Sequence, residues 1–224
     1  MGIKYFLLLV FLSGCSYFDK NGPLTLNDPP VPVESDFASD SLESDLISDR
    51  TIWQKPYLIM DALNPLDQKV VADIGAGSGY FAFRFIHQAK KVIAIEIDKE
   101  LIDLMNAEKE YYKTELQQKF EARLATAEDP MLKDQEADII FISNTYTYFG
   151  DRINYLKNLR PKLREGGMLV IVDFKKKITP IGPPMEQRLA QGEVESELIL
   201  AGYHITKSDD ISLQHQYLII AQAN

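Results

Sequence analysis

The sequence is poor in the residues that form covalent cross-links and metal sites. Its 224 residues include a single cysteine, Cys15, so an intramolecular disulfide is excluded. A zinc site built on several cysteines is excluded for the same reason. The three histidines, His87, His204 and His215, are scattered and show no metal-ligand spacing. We therefore expect no metal site.

Basic charge is also scarce. The chain has 24 lysines and arginines against 33 aspartates and glutamates, which gives a net charge of −9. This balance argues against a nucleic-acid partner held in a basic groove, because neutralising phosphates takes a concentration of positive charge. A hydrophobic content of 46% is ordinary for a globular protein. The length suits one domain with an appendage.

The N-terminal segment contains no apolar run long enough to cross a bilayer. The run at residues 5–12 falls well short of the about 20 residues that a spanning helix needs, and it follows Lys4 like the apolar region of a secretory signal. The ending Leu12–Cys15, Leu-Ser-Gly-Cys, resembles the bacterial lipobox, in which the cysteine becomes the lipidated N-terminus. An uncleaved anchor or a buried N-terminal helix is the alternative, but it explains neither the small residues nor the lone cysteine. We expect residues 1–15 to be a lipoprotein-type signal peptide, with lipidation at Cys15.

The next segment has the composition of a tether. Residues 16–46 contain four prolines, and acidic residues alternate with serines, so this segment cannot bury enough apolar surface to order itself. We predict a disordered linker at 16–46 and a folded domain at 47–224. Ser16 after the cysteine resembles the pattern of lipoproteins sent to an outer membrane. The expected location is the cell envelope, on the periplasmic side of the outer membrane.

The most informative stretch lies between Val70 and Phe81. The apolar run Val70–Ile74 includes an acid, Asp73, and glycines follow it on alternate positions: Gly75, Gly77 and Gly79. This order predicts a buried strand, a tight turn and a helix start, which would offer unpaired N–H groups to a carboxylate or phosphate. A second apolar strand ends at Glu96, where a carboxylate can accept hydrogen bonds from a ribose. The unit is a candidate nucleoside-binding βαβ motif.

Apolar segments and amphipathic segments alternate along the rest of the chain. Strands are predicted at residues 70–74, 92–96, 119–124, 137–143 and 168–173, with a terminal pair at 204–207 and 217–221. Helices are predicted at residues 56–63, 99–116, 152–163 and 193–201. Asp98 is expected to cap the second of these helices, a turn at Gly166-Gly167 to precede the fifth strand, and Gly202 to end the last helix. The alternation predicts an α/β fold, a doubly wound and mostly parallel sheet with an antiparallel C-terminal edge.

These features resemble the class I S-adenosylmethionine-dependent methyltransferases. Residues Asp73–Gly79 match their Asp-x-Gly-x-Gly-x-Gly motif, and Glu96 stands where that family keeps its ribose-binding acid. The resemblance covers about residues 49–223 and implies a seven-stranded sheet. Asp49–Pro56 and Asn144-Thr145-Tyr146 also resemble motifs of small, often exported methyltransferase-domain proteins. A dehydrogenase is disfavoured, because its third glycine stands one position later.

The resemblance implies S-adenosyl-L-methionine as the cofactor. Its amino-acid end would lie on the turn formed by the three glycines, with Asp73 facing its amino group and Glu96 reaching its ribose. Its adenine would lie near Ile97. Many relatives carry an acid where this chain has Thr126, and Glu128 is the expected substitute.

Methyl transfer requires alignment of the acceptor more than a strong protein catalyst, since the cofactor supplies the difficult chemistry. The candidate catalytic residues follow the fourth and fifth strands, at the edge where open α/β sheets bind ligands: Asn144, Tyr146 and Asp173. Asn144 would hold the cofactor or the acceptor, and Asp173 would either take a proton or make structural hydrogen bonds. Tyr146 and Tyr148 are alternatively pocket-lining residues. The exported subgroup often has histidines after Asn-Thr-Tyr, and their absence here argues against a histidine-based mechanism.

Three other features each have two interpretations. Trp53 is either a core residue or part of a lid near the glycine turn. Arg188 either pairs with an anionic acceptor or is a solvated surface residue. The lysine run at residues 175–177 is either a solvated loop or a contact to a membrane surface.

The predicted function is methyl transfer from S-adenosylmethionine to an unidentified acceptor, for which a small molecule or a lipid-soluble metabolite is the first choice. The expected partners are this acceptor and, through lipidated Cys15, a membrane. One alternative comes from a different class of protein. Because S-adenosylmethionine is made in the cytoplasm, a domain tethered outside it would be an exported, non-catalytic module that binds a nucleoside.

Overall fold

A computed structural model describes residues 50–223. The predicted signal peptide at 1–15, the lipidation site Cys15 and the predicted linker at 16–46 lie outside the described residues. Within residues 50–223, no helix is both long enough and apolar enough to cross a bilayer. The same part of the chain has no group of three histidine, cysteine, aspartate or glutamate side chains arranged to hold a metal ion.

Seven strands form one sheet, as predicted. They are β1 (Val70–Ile74), β2 (Lys91–Glu96), β3 (Phe120–Leu124), β4 (Ala137–Ser143), β5 (Leu163–Phe174), β6 (Tyr203–Asp209) and β7 (Gln216–Ala223). Their order across the sheet is β3-β2-β1-β4-β5-β7-β6. The first five strands run parallel, and β7 lies antiparallel between β5 and β6. This arrangement confirms the predicted doubly wound α/β fold with an antiparallel C-terminal edge.

Helices cover both faces of the sheet. They are α1 (residues 50–54), α2 (Pro56–Asp61), α3 (Ala82–Phe85), α4 (Lys99–Lys109), α5 (Thr114–Gln117), α6 (Arg152–Leu159) and α7 (Gln191–Leu200). One core joins α2, α3 and α4 to strand residues such as Val71, Phe141 and Val172. The other joins α6 and α7 to the alternate strand residues, among them Ala72 and Ile171. Apolar residues on both faces of the strands account for their continuous hydrophobic runs.

Some boundaries differ from the predicted ones. The glycine pair Gly166-Gly167 lies inside β5 and not before it, because the pairing of β4 with β5 shifts register between Ala137 and Ile139 and accommodates the extra residues. The predicted helix at 99–116 is divided into α4 and α5, and the turn between them places Tyr112 in a stack on Phe83, with ring centroids 5.0 Å apart.

Two predicted helix ends are confirmed. The side chain of Asp98 accepts a hydrogen bond from the backbone N–H of Glu100 at 2.8 Å, which caps α4. Gly202 follows α7 with a φ of +86°, the left-handed conformation that stops a helix. In contrast, α6 ends at Leu159, earlier than predicted, and the chain continues as a 3-10 turn at Arg160–Lys162, which contains Pro161.

The sheet has one topological switch point. The chain adds β2 and then β3 on one side of β1, and β4 and β5 on the other side. Connections therefore diverge beyond the carboxyl ends of β1 and β4 and leave a crevice there. Ligands of open α/β sheets bind in such crevices.

Candidate functional site

The glycine turn after β1 is built from left-handed backbone. Gly75, Gly77 and Gly79 have φ values of +73°, +59° and +89°, which L-residues with a Cβ rarely adopt. The N–H groups of Gly75 and Ala76 both donate to the carbonyl of Ile95, at 2.9 and 3.0 Å. These bonds hold the turn against the end of β2.

Glu96, the last residue of β2, ties the same turn down with its side chain. The carboxylate is only 8% exposed. Its Oε2 accepts the Gly77 N–H at 2.9 Å, and its Oε1 accepts the N–H groups of Ile97 at 2.7 Å and Asp98 at 3.2 Å. A carboxylate offers about four acceptor positions, so one position remains for a ligand hydroxyl.

The sequence predicts unpaired N–H groups at the start of the helix that follows the glycine turn. This prediction is wrong for Phe83 and Ala82, because both N–H groups have partners. The N–H of Phe83 donates to the carbonyl of Gly79 at 2.9 Å, and the N–H of Ala82 bonds to the carboxyl of Asp73. Helix α3 is also only four residues long. The N–H groups of Ala82 and Phe83 are therefore not available to a ligand.

A cavity of about 300 Å³ opens beside the turn at the carboxyl ends of β1, β2 and β4. It is lined by Ile74, Gly75, Ile95, Glu96, Ile97, Ala125, Thr126, Ala127, Asn144, Thr145, Tyr148, Phe149 and Tyr155. Four residues predicted for the site, Gly75, Glu96, Ile97 and Asn144, meet here. Tyr148, predicted as a possible pocket residue, also lines the cavity. Its size falls at the lower end of the range for small-molecule sites.

Asp73 lies beneath the turn and is 2% exposed. Its Oδ2 has no hydrogen-bond partner among residues 50–223. Burial raises the pKa of this carboxyl to about 7, and the positive charge of Arg50 opposes that shift. A buried acceptor atom without a partner next to a ligand cavity is suited to a cationic donor such as an ammonium group.

Glu128 lines a neighbouring cavity of about 490 Å³, not the first one. The two cavities share Ala127, Tyr148 and Tyr155, so they adjoin each other. Thr126 lines the first cavity at the position where many relatives carry an acid. The expected adenine contact of Glu128 stays a prediction.

Tyr146 does not line the cavity. Its side chain is fully buried, and its hydroxyl donates to Glu197 Oε2 at 2.7 Å. Glu197 also accepts from the guanidinium of Arg152 at 2.6 Å. Burial together with the Glu197 carboxylate raises the pKa of Tyr146 far above its usual range. These contacts are those of a residue that fixes α7 beside the loop after β4.

Asp173, near the end of β5, is also apart from the cavity and is 5% exposed. Its Oδ1 accepts the N–H of Phe174 at 2.8 Å, while Oδ2 has no hydrogen-bond partner within the described part of the chain. Burial raises the pKa of this carboxyl to about 6. The group is therefore poised to take a proton near neutral pH, although it makes a structural hydrogen bond as well.

The loop after β4 closes over the glycine turn. Asn144 has a φ of +57°, a conformation that asparagine tolerates, and its side-chain oxygen accepts a hydrogen bond from Gln216. Thr145 then lies directly over Gly75, and a Cβ at Gly75 would be 2.3 Å from Thr145 Oγ1. Only glycine fits beneath this threonine.

Helix α1 supplies two residues that contact the surroundings of the cavity without lining it, and the sequence interpretation did not assign them. Gln54 is fully buried, donates to Ser143 Oγ at 3.2 Å and accepts from Arg50 Nε at 2.6 Å. The guanidinium of Arg50 lies 3.8 Å from the ring centroid of Tyr80, which directly follows the glycine turn. The sequence signal for both residues is the Asp-Arg-x-x-Trp-Gln-x-Pro motif at residues 49–56. The resemblance alone gives its arginine and glutamine no role.

The contacts of Arg188 and Trp53 decide between the two interpretations given for each residue. Arg188 is neither solvated nor free for an anionic acceptor. It is 5% exposed, and its guanidinium donates to Thr179 Oγ1 and to the carbonyls of four loop residues: Lys175, Lys177, Ile181 and Pro183. Trp53 is half-buried and packs against Phe174, with ring centroids 5.5 Å apart. It therefore joins α1 to the end of β5.

Part of the chain is similar to a known protein family. Residues 72–171 match the model of a family described as "Methyltransferase domain". The match runs from β1 into β5 and so includes the glycine turn, Glu96 and Asn144. A search of curated proteins finds no match. Over these residues the chain resembles a methyltransferase domain.

Solved structures share the whole fold at low sequence identity. A SAM-dependent methyltransferase from Aquifex aeolicus is 20% identical, with a TM-score of 0.72 over 82% of this chain and 98% of that one. The glycopeptide N-methyltransferase MtfA, solved in complex with S-adenosyl-L-methionine, is 12% identical, with a TM-score of 0.64 over 75% and 87%. The CcbJ methyltransferase from Streptomyces caelestis is 13% identical, with a TM-score of 0.63 over 76% and 94%. The fold is that of class I S-adenosylmethionine-dependent methyltransferases.

The match over residues 72–171 and the shared fold resemble those of S-adenosylmethionine-dependent methyltransferases, and the residues present fit this cofactor. The cavity joins a glycine at positive φ to a carboxylate with spare acceptor capacity. Beneath the turn lies the unpartnered Oδ2 of Asp73. Gly77 has open space above it, since a Cβ there would meet no atom within 4 Å. A flexible amino-acid moiety therefore has room along the turn.

Proposed function

We propose that this protein transfers a methyl group from S-adenosylmethionine to a small, lipid-soluble acceptor. One observation is the main support: Gly75 of the glycine turn, Glu96 and Asn144 line a single cavity at the switch point of the sheet. The methyltransferase-domain match supports the reaction class.

The residues that would hold the cofactor follow from their chemistry. Glu96 would accept a hydrogen bond from a ribose hydroxyl, and the 60% exposed side chain of Ile97 would cover one face of the adenine. Asp73 Oδ2 would accept from the ammonium group, and the nearby guanidinium of Arg50 suits the carboxylate. When bound, S-adenosylmethionine supplies an electrophilic methyl group on a sulfonium.

The remaining work of the chain is alignment and proton transfer. Asn144 and Thr145 limit the width of the cavity above Gly75 and so restrict the positions open to an acceptor. Asp173 Oδ2 lies outside the lining of this cavity, so it would receive a proton only from an acceptor whose hydroxyl or ammonium group extends past that lining. A carboxyl with a pKa near 6 is largely ionised at neutral pH and can accept that proton.

Binding and turnover are tested separately. Calorimetric titration of the purified full chain with S-adenosylmethionine should show binding that Glu96→Ala abolishes. Glu165→Ala, which removes an exposed carboxylate on β5 outside the cavity lining, is the matched control and should bind like the wild type. Absence of binding at millimolar cofactor would overturn the proposed function.

The acceptor is sought with radiolabelled methyl donor and two extracts, one of lipids and one of water-soluble metabolites. Label that enters the lipid extract, together with formation of S-adenosylhomocysteine, is the expected result. Label that enters only the water-soluble extract would contradict the lipid-soluble class while leaving methyl transfer intact. Cofactor binding without turnover in either extract would favour a non-catalytic module.

We also propose that the mature protein is anchored by a lipid on Cys15 and faces the periplasm from the outer membrane. The support is the lipobox-like sequence and Ser16 after it. Mass spectrometry of the mature N-terminus should detect a diacylglyceryl cysteine, and Cys15→Ser should release the protein from membrane fractions. An intact Met1 or an unmodified cysteine would contradict the anchor.

A further inference from the structure

The two most exposed large apolar side chains of the described domain stand on neighbouring loops. Ile178 is 90% exposed and Ile211 is 89% exposed. Ile178 follows β5 shortly after its end, and Ile211 lies in the turn between β6 and β7. Isolated apolar residues on a surface need no explanation, but two that protrude from neighbouring, connected loops suggest a contact.

Hydrogen bonds hold these two loops together. Lys175 donates through its ammonium group to the carbonyl of Leu213 at 2.8 Å and to that of Asp210. Its backbone N–H donates to the carbonyl of His215 at 3.0 Å. The two isoleucines are therefore presented by one braced structure.

Positive charge surrounds the two isoleucines. Lys176 and Lys177 are exposed and directly precede Ile178. The ammonium group of Lys55 joins the same region by donating to the carbonyl of Ser212 at 3.1 Å. Two acids of the turn, Asp209 and the exposed Asp210, offset this charge only in part: Asp209 lies 3.8 Å from the Lys207 ammonium, and the four lysines at 55 and 175–177 outnumber the acids. In a chain of net charge −9, a local excess of lysine is a distinct feature.

The surface formed by these two loops and their lysines lies on the same side of the domain as the cavity. It lies at the carboxyl end of β5, on the same edge of the sheet as the cavity, because parallel strands β1, β4 and β5 end there. The chain also enters the described domain at this edge, through α1 and Lys55. Forty-nine residues precede Arg50 in the sequence, and they join the domain at this edge of the sheet.

We infer that Ile178, Ile211, Lys55, Lys176 and Lys177 form a docking surface for an anionic lipid bilayer. Lysines near such a surface are attracted by its negative potential, and protruding isoleucines can enter the acyl boundary. The inference does not depend on lipidation of Cys15 or on methyl transfer. It places the cavity edge of the sheet towards the bilayer, from which a lipid-soluble acceptor would arrive.

The single cysteine makes a local test possible. In the full chain carrying Cys15→Ser, Ile178→Cys is labelled with a polarity-sensitive fluorophore, and Ile199→Cys serves as the control. Ile199 is 62% exposed on α7. With vesicles of phosphatidylcholine and phosphatidylglycerol, the fluorophore at position 178 should shift to the blue and at least double in intensity. The fluorophore at position 199 should not change, and pure phosphatidylcholine vesicles should give a weaker response at 178.

A charge test uses the same fluorophore at position 178. Lys176→Gln with Lys177→Gln should raise the lipid concentration for half-maximal response, by roughly fivefold for each lysine removed. Lys90→Gln with Lys133→Gln makes the same change of charge at the opposite edge of the sheet and should have no effect. Circular dichroism verifies that all variants are folded.

Three results would overturn the inference. The first is an equal response at positions 178 and 199, which would mean non-specific adsorption. The second is a response that ignores both lipid charge and the two lysines. The third is a shift that appears without vesicles and grows with protein concentration, because a second copy of the chain would then cover this surface.

Discussion

Asparagine in place of Asp73 is expected to stabilise the domain at alkaline pH while it weakens cofactor binding. Burial raises the pKa of this carboxyl from 3.8 to about 7, so the folded protein holds the proton more tightly than the unfolded chain does. Below about pH 4 both states are protonated and the carboxyl costs no stability. As pH rises towards 7 the unfolded chain ionises first, and the free energy of unfolding falls. A shift of about three units corresponds to about 4 kcal/mol, and asparagine avoids that loss.

Urea unfolding of both proteins between about pH 4 and about pH 8, followed by circular dichroism, measures this difference. The variant should be close to the wild type at the acidic end and more stable by up to about 4 kcal/mol at the alkaline end. Burial raises the pKa of Asp173 to about 6, and this group titrates in both proteins. Its contribution to the free energy of unfolding therefore cancels when the two proteins are compared. Calorimetry should show weaker binding of S-adenosylmethionine by the variant. A stability difference that does not change with pH, or a variant less stable at alkaline pH, would refute the reasoning.

Three other substitutions test the contacts around the site. Gly75→Ala should lower the thermal midpoint more than Gly77→Ala, because a Cβ at 75 would lie 2.3 Å from a side-chain oxygen, while at 77 it meets open space and only the left-handed strain of about 1–2 kcal/mol remains; equal midpoints would contradict the close approach. Tyr146→Phe removes the hydrogen bond to Glu197 and should cost about 1–2 kcal/mol in urea unfolding with unchanged cofactor affinity. A loss of affinity at unchanged stability would instead place Tyr146 in the site. Arg188→Lys replaces a fork of fixed donors by a single ammonium group, so limited proteolysis should cut the loop at residues 175–188 faster, and cleavage at the wild-type rate would argue against this role.

The strands were predictable because burial on both faces leaves a continuous apolar signal. Strand β4 has the predicted bounds, Ala137–Ser143, and the terminal hairpin of β6 and β7 contains both predicted segments, 204–207 and 217–221. Strand β5 was predicted too short because a glycine pair normally signals a turn. Its inclusion in the strand depends on a register shift against β4, and a shift in pairing leaves no trace in one strand's own sequence.

The site shows the same division between local and long-range information. The glycine turn and Glu96 lie within one βαβ unit, so their spacing alone was sufficient to predict them. The bond between Gln54 and Ser143 joins residues 89 positions apart, and the close approach of Thr145 to Gly75 spans 70. Contacts of this kind depend on how distant segments pack, and neither composition nor periodicity reports that.

Trp53 gives the molecule a built-in optical probe. It is the only tryptophan in the chain, and its ring rests on Phe174 at the junction of α1 with the end of β5. Emission excited at the red edge of protein absorbance therefore reports this junction and nothing else in the protein. A ligand that displaces α1 would change the emission wavelength of Trp53. A lipid or acceptor that approaches this edge of the sheet would change the quenching of Trp53, and no added label is needed.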